Sequence, residues 1–210
     1  MRTRVKGGAE MKRVLFLMII TGVILVQSVV FAATEIPIDA ALTEANRDFT
    51  YRGKPIHPGL VQEFSSWISD PGLPTTISVD VSAPHGNEYF SGDLSQGEGR
   101  NGCIDTKDSE GKKDGGSFCY ERLGKLDNGL HVLETADSGG GSGVFMDLFF
   151  VRFSKGTGYT KEGEKYDRLL MSIVREYTLG DRDDGKIAVT GNKVIVGKSR
   201  YRKKQVELTF

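Results

Sequence analysis

Apolar and polar positions alternate with a period of two through most of the second half of this chain, in short stretches separated by glycine-rich turns. In residues 75–81, Ile77, Val79 and Val81 fall on one face and Thr76, Ser78 and Asp80 on the other, which predicts a half-buried strand. Residues 118–126 and 130–135 flank Asp127-Asn128-Gly129, a strand, tight turn and strand that predict a hairpin. Residues 144–153 are apolar on both faces, as a central strand covered on both sides requires. Two periods compete in residues 169–179. Tyr166, Leu169, Leu170, Ile173, Val174 and Tyr177 make a helical stripe, whereas Leu169, Met171, Ile173, Tyr177 and Leu179 share one strand face, with Arg175 as the exception. The β-branched content and the β surroundings favour the strand. Residues 186–189 and 193–196 are strands joined across Gly191-Asn192, and 205–210 alternates cleanly.

Ahead of these stretches the pattern is weaker. Residues 38–45 suit a short helical turn or a loose segment, and 48–52 read as a first strand with Phe49 and Tyr51 on one face. Residues 60–68 are a short apolar segment holding Trp67, Asp70-Pro71-Gly72 is a turn, and 88–90 is a short strand. Residues 91–116 read as a long polar loop in which Leu94 and Ile104 are the only aliphatic side chains. Residues 136–143, rich in glycine and serine, read as a flexible connection. The sum is about nine or ten short antiparallel strands with at most one short helix: an all-β chain, built as a jelly-roll-like β-sandwich or a barrel.

The first residues follow another logic. Lys12-Arg13 precedes an apolar run over 14–26 and a small-residue exit ending Phe31-Ala32-Ala33, the layout of a secretory signal peptide. Cleavage after Ala32 leaves Val30 and Ala32 at the positions that must be small. Met11 is the better start, with 1–10 lying upstream of it. An uncleaved anchor over 14–33 competes, but Gln27 and Ser28 argue against it. Residues 1–32 are therefore expected to be removed, leaving 33–210 as a single periplasmic or secreted β domain with no membrane span.

Export changes the charge. Residues 1–32 carry five of the 28 cations and one of the 28 anions, so 23 face 27 in the remainder, a net charge of −4. That argues against a nucleic-acid partner, which demands clustered positive charge. Arg200, Arg202 and Lys203 form a local exception, a candidate basic patch for anionic lipid or polysaccharide. Export also makes Cys103 and Cys119 a disulfide pair, since two cysteines underfill a metal site and this spacing is not that of a redox motif.

Little else in the chain carries chemistry. Asp181, Asp183 and Asp184 before Gly185 resemble a calcium loop, since hard oxygen ligands suit calcium. The EF-hand spacing and its closing glutamate are missing, so the expectation is an acidic turn and no cofactor. Asp105, Asp108, Glu110 and Asp114 form a second acidic group, diluted by Lys107, Lys112 and Lys113. Residues 191–199 resemble a phosphate-binding loop but miss its glycine spacing. The histidines His57, His85 and His131 have no metal spacing, and a triad of Ser142, His131 and Asp147 lacks a nucleophile elbow. The remaining expectation is a non-catalytic exported protein that binds an envelope or extracellular protein, an enzyme to be inhibited or a polysaccharide. An envelope-acting hydrolase, calcium-assisted or not, is the alternative. The two glycine-rich connections flank one hairpin and should emerge at the same end. This singles out Asp105, Asp108, Ser138 and Ser142 as candidate binding-loop residues.

Overall fold

The computed structural model describes residues 37–65, 76–83, 102–107 and 113–210. Expectations for the export segment, Trp67, the Asp70-Pro71-Gly72 turn, the 88–90 strand, His85, Asp108 and Glu110 lie outside the described residues. Among the described residues no helix is long and apolar enough to cross a membrane.

Helices α1 (Ile38–Asp48) and α2 (Pro58–Gln62) bracket a small hairpin of β1 (Thr50–Tyr51) and β2 (Lys54–Pro55). The strands that follow are β3 (Ser78–Asp80), β4 (Gly102–Lys107), β5 (Lys113–Lys125), β6 (His131–Ser138), β7 (Phe145–Tyr159) and β8 (Lys165–Asp181). Then come β9 (Ile187–Thr190), β10 (Lys193–Val196) and β11 (Val206–Thr209). They make a six-stranded sheet ordered β3-β8-β7-β6-β5-β4 and a three-stranded sheet ordered β11-β10-β9, both antiparallel. The chain is all-β, as its alternation implies; the described residues hold two short helices, where the sequence reading expects at most one.

The large sheet is buried on both faces. One face packs under the N-terminal layer, where Ala41, Ala45, Phe49, Ile56, Leu60 and Phe64 meet Phe118, Tyr120, Leu133, Phe149, Phe153 and Met171. The other packs under the small sheet, where Val194, Val196 and Leu208 meet Val132, Leu148 and Phe150. Strand β7 therefore sends Phe149 and Phe150 into different cores, both fully buried. This is why residues 144–153 show no polar face.

Local reasons account for the departures from the sequence reading. Residues 38–48 are a full helix because Ile38, Ala41, Leu42 and Ala45 recur at helical spacing and bury one stripe. The helix stops at Phe49, whose φ of 61° is held by a buried ring and an N–H bonded to the Ala45 carbonyl. The 48–52 strand thus shrinks to Thr50–Tyr51. The 75–81 strand shrinks to Ser78–Asp80, and Ile77, 68% exposed, does not share the burial of Val81. Residues 91–116 are not one loop: 102–107 and 113–116 belong to β4 and β5, which pair in register at Cys103 and Cys119. The disulfide between them spans a Cα–Cα distance of 4.1 Å.

The 169–179 segment is strand, but its apolar residues do not share one face. The pairing with β7 skips Val174, a bulge that inverts the alternation. Leu169, Met171 and Ile173 enter the core beneath the N-terminal layer, whereas Tyr177 and Leu179 enter the core beneath the small sheet. Arg175 is no longer an exception, because beyond the bulge it lies over the Phe210 ring at 5.1 Å, on the small-sheet side.

Candidate functional site

Strands β5 and β6 are antiparallel neighbours, so the start of β5 and the β6–β7 connection lie at one end of the large sheet. Asp105 pairs with Ser117, and Ser117 with Ser138, which lines two candidate positions, Asp105 and Ser138, across β4 and β6 with Ser117 of β5 between them. A Cβ on Gly115, near the start of β5, would lie 3.9 Å from the Cα of Gly140, so the β6–β7 connection runs beside the first residues of β5. Both glycines have φ near +80°, at 82° and 80°, a conformation that side chains with a Cβ rarely adopt. Ser142 is exposed in the 139–144 connection, and Phe145 beside it is 48% exposed. The connection is anchored at its far side. The Asp181 carboxylate accepts the Val144 N–H at 2.8 Å, and the Arg182 N–H donates to the Val144 carbonyl at 2.8 Å.

Next to this end, on the N-terminal-layer face, lies a carboxylate group that the sequence reading missed. Asp147 of β7 stands between Thr135 of β6 and Thr178 of β8 in the register, with Asp137 and Glu176 diagonal to it. Burial, and then the Asp147 charge, raise the Asp137 carboxyl above its ordinary range. Burial raises Asp147 as well, against a hydrogen bond with Thr178 that works the other way. Glu176 stays exposed as a residue, yet partial desolvation and then the Asp147 charge raise it too. The available signal was a lone aspartate inside an otherwise apolar strand. It becomes meaningful only once the register places Asp137 and Glu176 around it.

The acidic turn and the basic tail satisfy each other. Asp183, 2% exposed at its side chain, accepts from Arg202 Nη2 at 2.6 Å and from the Gly185 N–H at 2.9 Å. Arg202 Nε also donates to the Gly197 carbonyl at 3.2 Å. Burial alone would raise the Asp183 carboxyl. Hydrogen bonds from Ser199, Arg202 and the Gly185 amide, with the Arg202 charge, hold it below its ordinary value. Asp184 accepts the Arg200 N–H at 2.8 Å, and Lys203 Nζ donates to the Arg200 carbonyl at 3.1 Å. Asp181, as above, holds Val144. Asp183 and Asp184 of the candidate calcium turn, with Arg200 and Arg202 of the candidate basic patch, thus form a clasp between the β8–β9 and β10–β11 connections. Among the described residues no group of three or more histidine, cysteine, aspartate or glutamate side chains is arranged to hold a metal ion.

Ser142, His131 and Asp147 do not assemble. His131 and Thr135, the residue opposite Asp147, are four positions apart on β6, about 13 Å at strand rise. His131 is fully buried among Phe49 and Phe153, and neither ring nitrogen has a hydrogen-bond partner. Of the other described histidine, Nδ1 of His57 accepts the Gly59 N–H at 3.1 Å and caps α2.

No family model, no curated protein and no solved structure matches the chain.

Proposed function

We propose that the chain is an exported, non-catalytic binding module that meets a cationic segment of an envelope or extracellular protein at the end of the large sheet where the start of β5 meets the β6–β7 connection. The observation that carries this reading is the approach of Gly140, in the β6–β7 connection, to Gly115 at the start of β5, which joins the two into one surface. Loops presented side by side on a rigid β scaffold are a recurrent binding arrangement. Asp105, Ser138, Ser142 and Phe145 line that surface, and Asp137, Asp147 and Glu176 supply negative charge beside it. Carboxylates held near one another with raised affinity for protons gain when a guanidinium or ammonium group arrives. The Cys103–Cys119 disulfide supports export, since such bonds persist in oxidising compartments.

Equilibrium binding of a lysine- and arginine-rich peptide tests the reading. Asp137→Asn and Phe145→Ser should each weaken binding about tenfold or more, the effect of losing roughly 1.4 kcal/mol. Arg200→Glu, in the clasp, should leave it unchanged. Equal binding by all variants would refute the proposed surface.

A hydrolase of envelope glycans or esters is the second reading. It is favoured by one observation: Asp137, Asp147 and Glu176 are raised together, as acid–base catalysts are tuned. Turnover of an envelope glycan, abolished by Asp147→Asn while peptide binding persists, would select it.

A further inference from the structure

We propose that His131 is an acid-sensing latch, whose protonation releases the N-terminal layer of α1, β1, β2 and α2 from the face of the large sheet. The geometry around it suits a neutral ring only. Its centroid lies 5.3 Å from that of Phe49 and 5.5 Å from that of Phe153, and Phe49 is the residue on which α1 ends. A neutral imidazole is tolerated between aromatic faces, which accept a weak N–H contact. An imidazolium there would be a buried charge with no acceptor on either nitrogen.

The surrounding charges reinforce this. On β5, Arg122 and Lys125 are both cations, and both are tied to the end of α1: Arg122 Nη2 donates to the Arg47 carbonyl at 3.0 Å, and Lys125 Nζ to the Asn46 carbonyl at 2.8 Å. The acids of α1 are engaged elsewhere. Asp48 pairs with Arg47 at 2.7 Å, Asp39 pairs with Lys155 of β7, and Glu44 accepts the Thr50 hydroxyl and the Gly53 N–H, each at 2.7 Å. Tyr120 of β5 is engaged with the Ile56 carbonyl. Burial first, then Arg122 and Lys125, push the ring down to about 3 from 6.5. The sign follows. Stability from keeping the ring neutral is complete above 6.5 and is lost as pH falls from there toward 3. Opening the layer lets water reach His131, so each pH unit below about 6.5 multiplies the opening constant roughly tenfold.

Amide hydrogen exchange across α1, corrected for intrinsic rates between about pH 7 and about pH 4.5, tests the latch. The wild-type opening constant should rise about tenfold from pH 5.5 to 4.5. It should stay flat in His131→Phe and still rise in His57→Asn, which keeps a capping acceptor for α2. A flat wild-type profile would overturn the proposal. An unchanged slope in His131→Phe would assign the effect to carboxylates such as Asp39 or Glu44, and loss of the slope in His57→Asn would assign it to that cap; either overturns it. Should His131→Phe fail to fold, ring-proton NMR of the wild type decides. A His131 ring that becomes charged near pH 6.5 while α1 stays protected would refute the latch, and a ring that charges only with loss of α1 protection would support it.

Discussion

At the residue scale, two groups of carboxylates behave in opposite ways because of what faces them. Asp183 is buried against Arg202, Ser199 and the Gly185 amide, which favour its charged form. Its contribution to stability is complete above 3.8 and is lost as pH falls below that value. Asp183→Ala leaves Arg202 buried without its partner, and urea unfolding near neutral pH should show a loss of about 3–5 kcal/mol. A loss under about 1 kcal/mol would mean that the clasp behaves as a surface pair. Asp137 is the reverse case. Its raised carboxyl favours the folded state in acid, and that advantage fades as pH rises through its folded value. Asp137→Asn should therefore raise the melting temperature at neutral pH and have no such effect below about pH 3. The Asp181–Asp184 run was legible as an acidic turn and Arg200–Lys203 as a basic one. That each accepts or donates to the other depends on a pairing of distant connections, which local spacing does not encode.

At the element scale, β7 is the part of the fold most readable in advance. An apolar run with no polar face has one physical solution in a β protein, a strand buried on both sides. Phe149→Ala and Phe150→Ala should each cost about 3–5 kcal/mol in urea unfolding, because each empties a different core. A near-zero cost for either would contradict the two-core arrangement. Strand β8 shows the limit. Its type was legible, but the bulge at Val174 was not, since the register with β7 decides which residue is skipped. The far end of β8 makes a further demand. A Cβ on Gly158 would meet the Tyr166 ring at 2.5 Å. Tyr166 is held there by its hydroxyl, which donates to Asp80 of β3 at 2.6 Å and lifts the phenol to about 12. Gly158→Ala must push the ring aside, so hydrogen exchange should rise first in 78–81 while the β5–β6 hairpin stays protected.

At the scale of the whole molecule, the large sheet carries a helical layer on one face and a small sheet on the other. The β class of this arrangement was written in the alternation. The helical layer was less visible, because α1 buries a stripe of small residues that reads equally well as a loose segment. Closure of the β4–β5 hairpin by the disulfide is the longest-range feature that cysteine counting anticipated. With Cys103 and Cys119 separated by 16 positions, reduction should cost about 3 kcal/mol without changing the fold, as circular dichroism during urea unfolding with and without reductant would show. Other expectations concerned placement. The expectation that both connections emerge at one end rested on hairpin geometry; most of the first connection lies outside the described residues, and Gly140 of the second lies beside Gly115 of β5. The carboxylates beside that end were out of reach, since they are assembled from β6, β7 and β8.

The central claim, that this end of the sheet is where a cationic partner docks, is tested most directly by an NMR titration of the labelled protein with a lysine- and arginine-rich peptide. Saturable shifts confined to Ser117, Asp137, Ser138, the 139–144 connection, Phe145 and Glu176 are expected. Shifts centred on 183–203, or none at all, would contradict that claim.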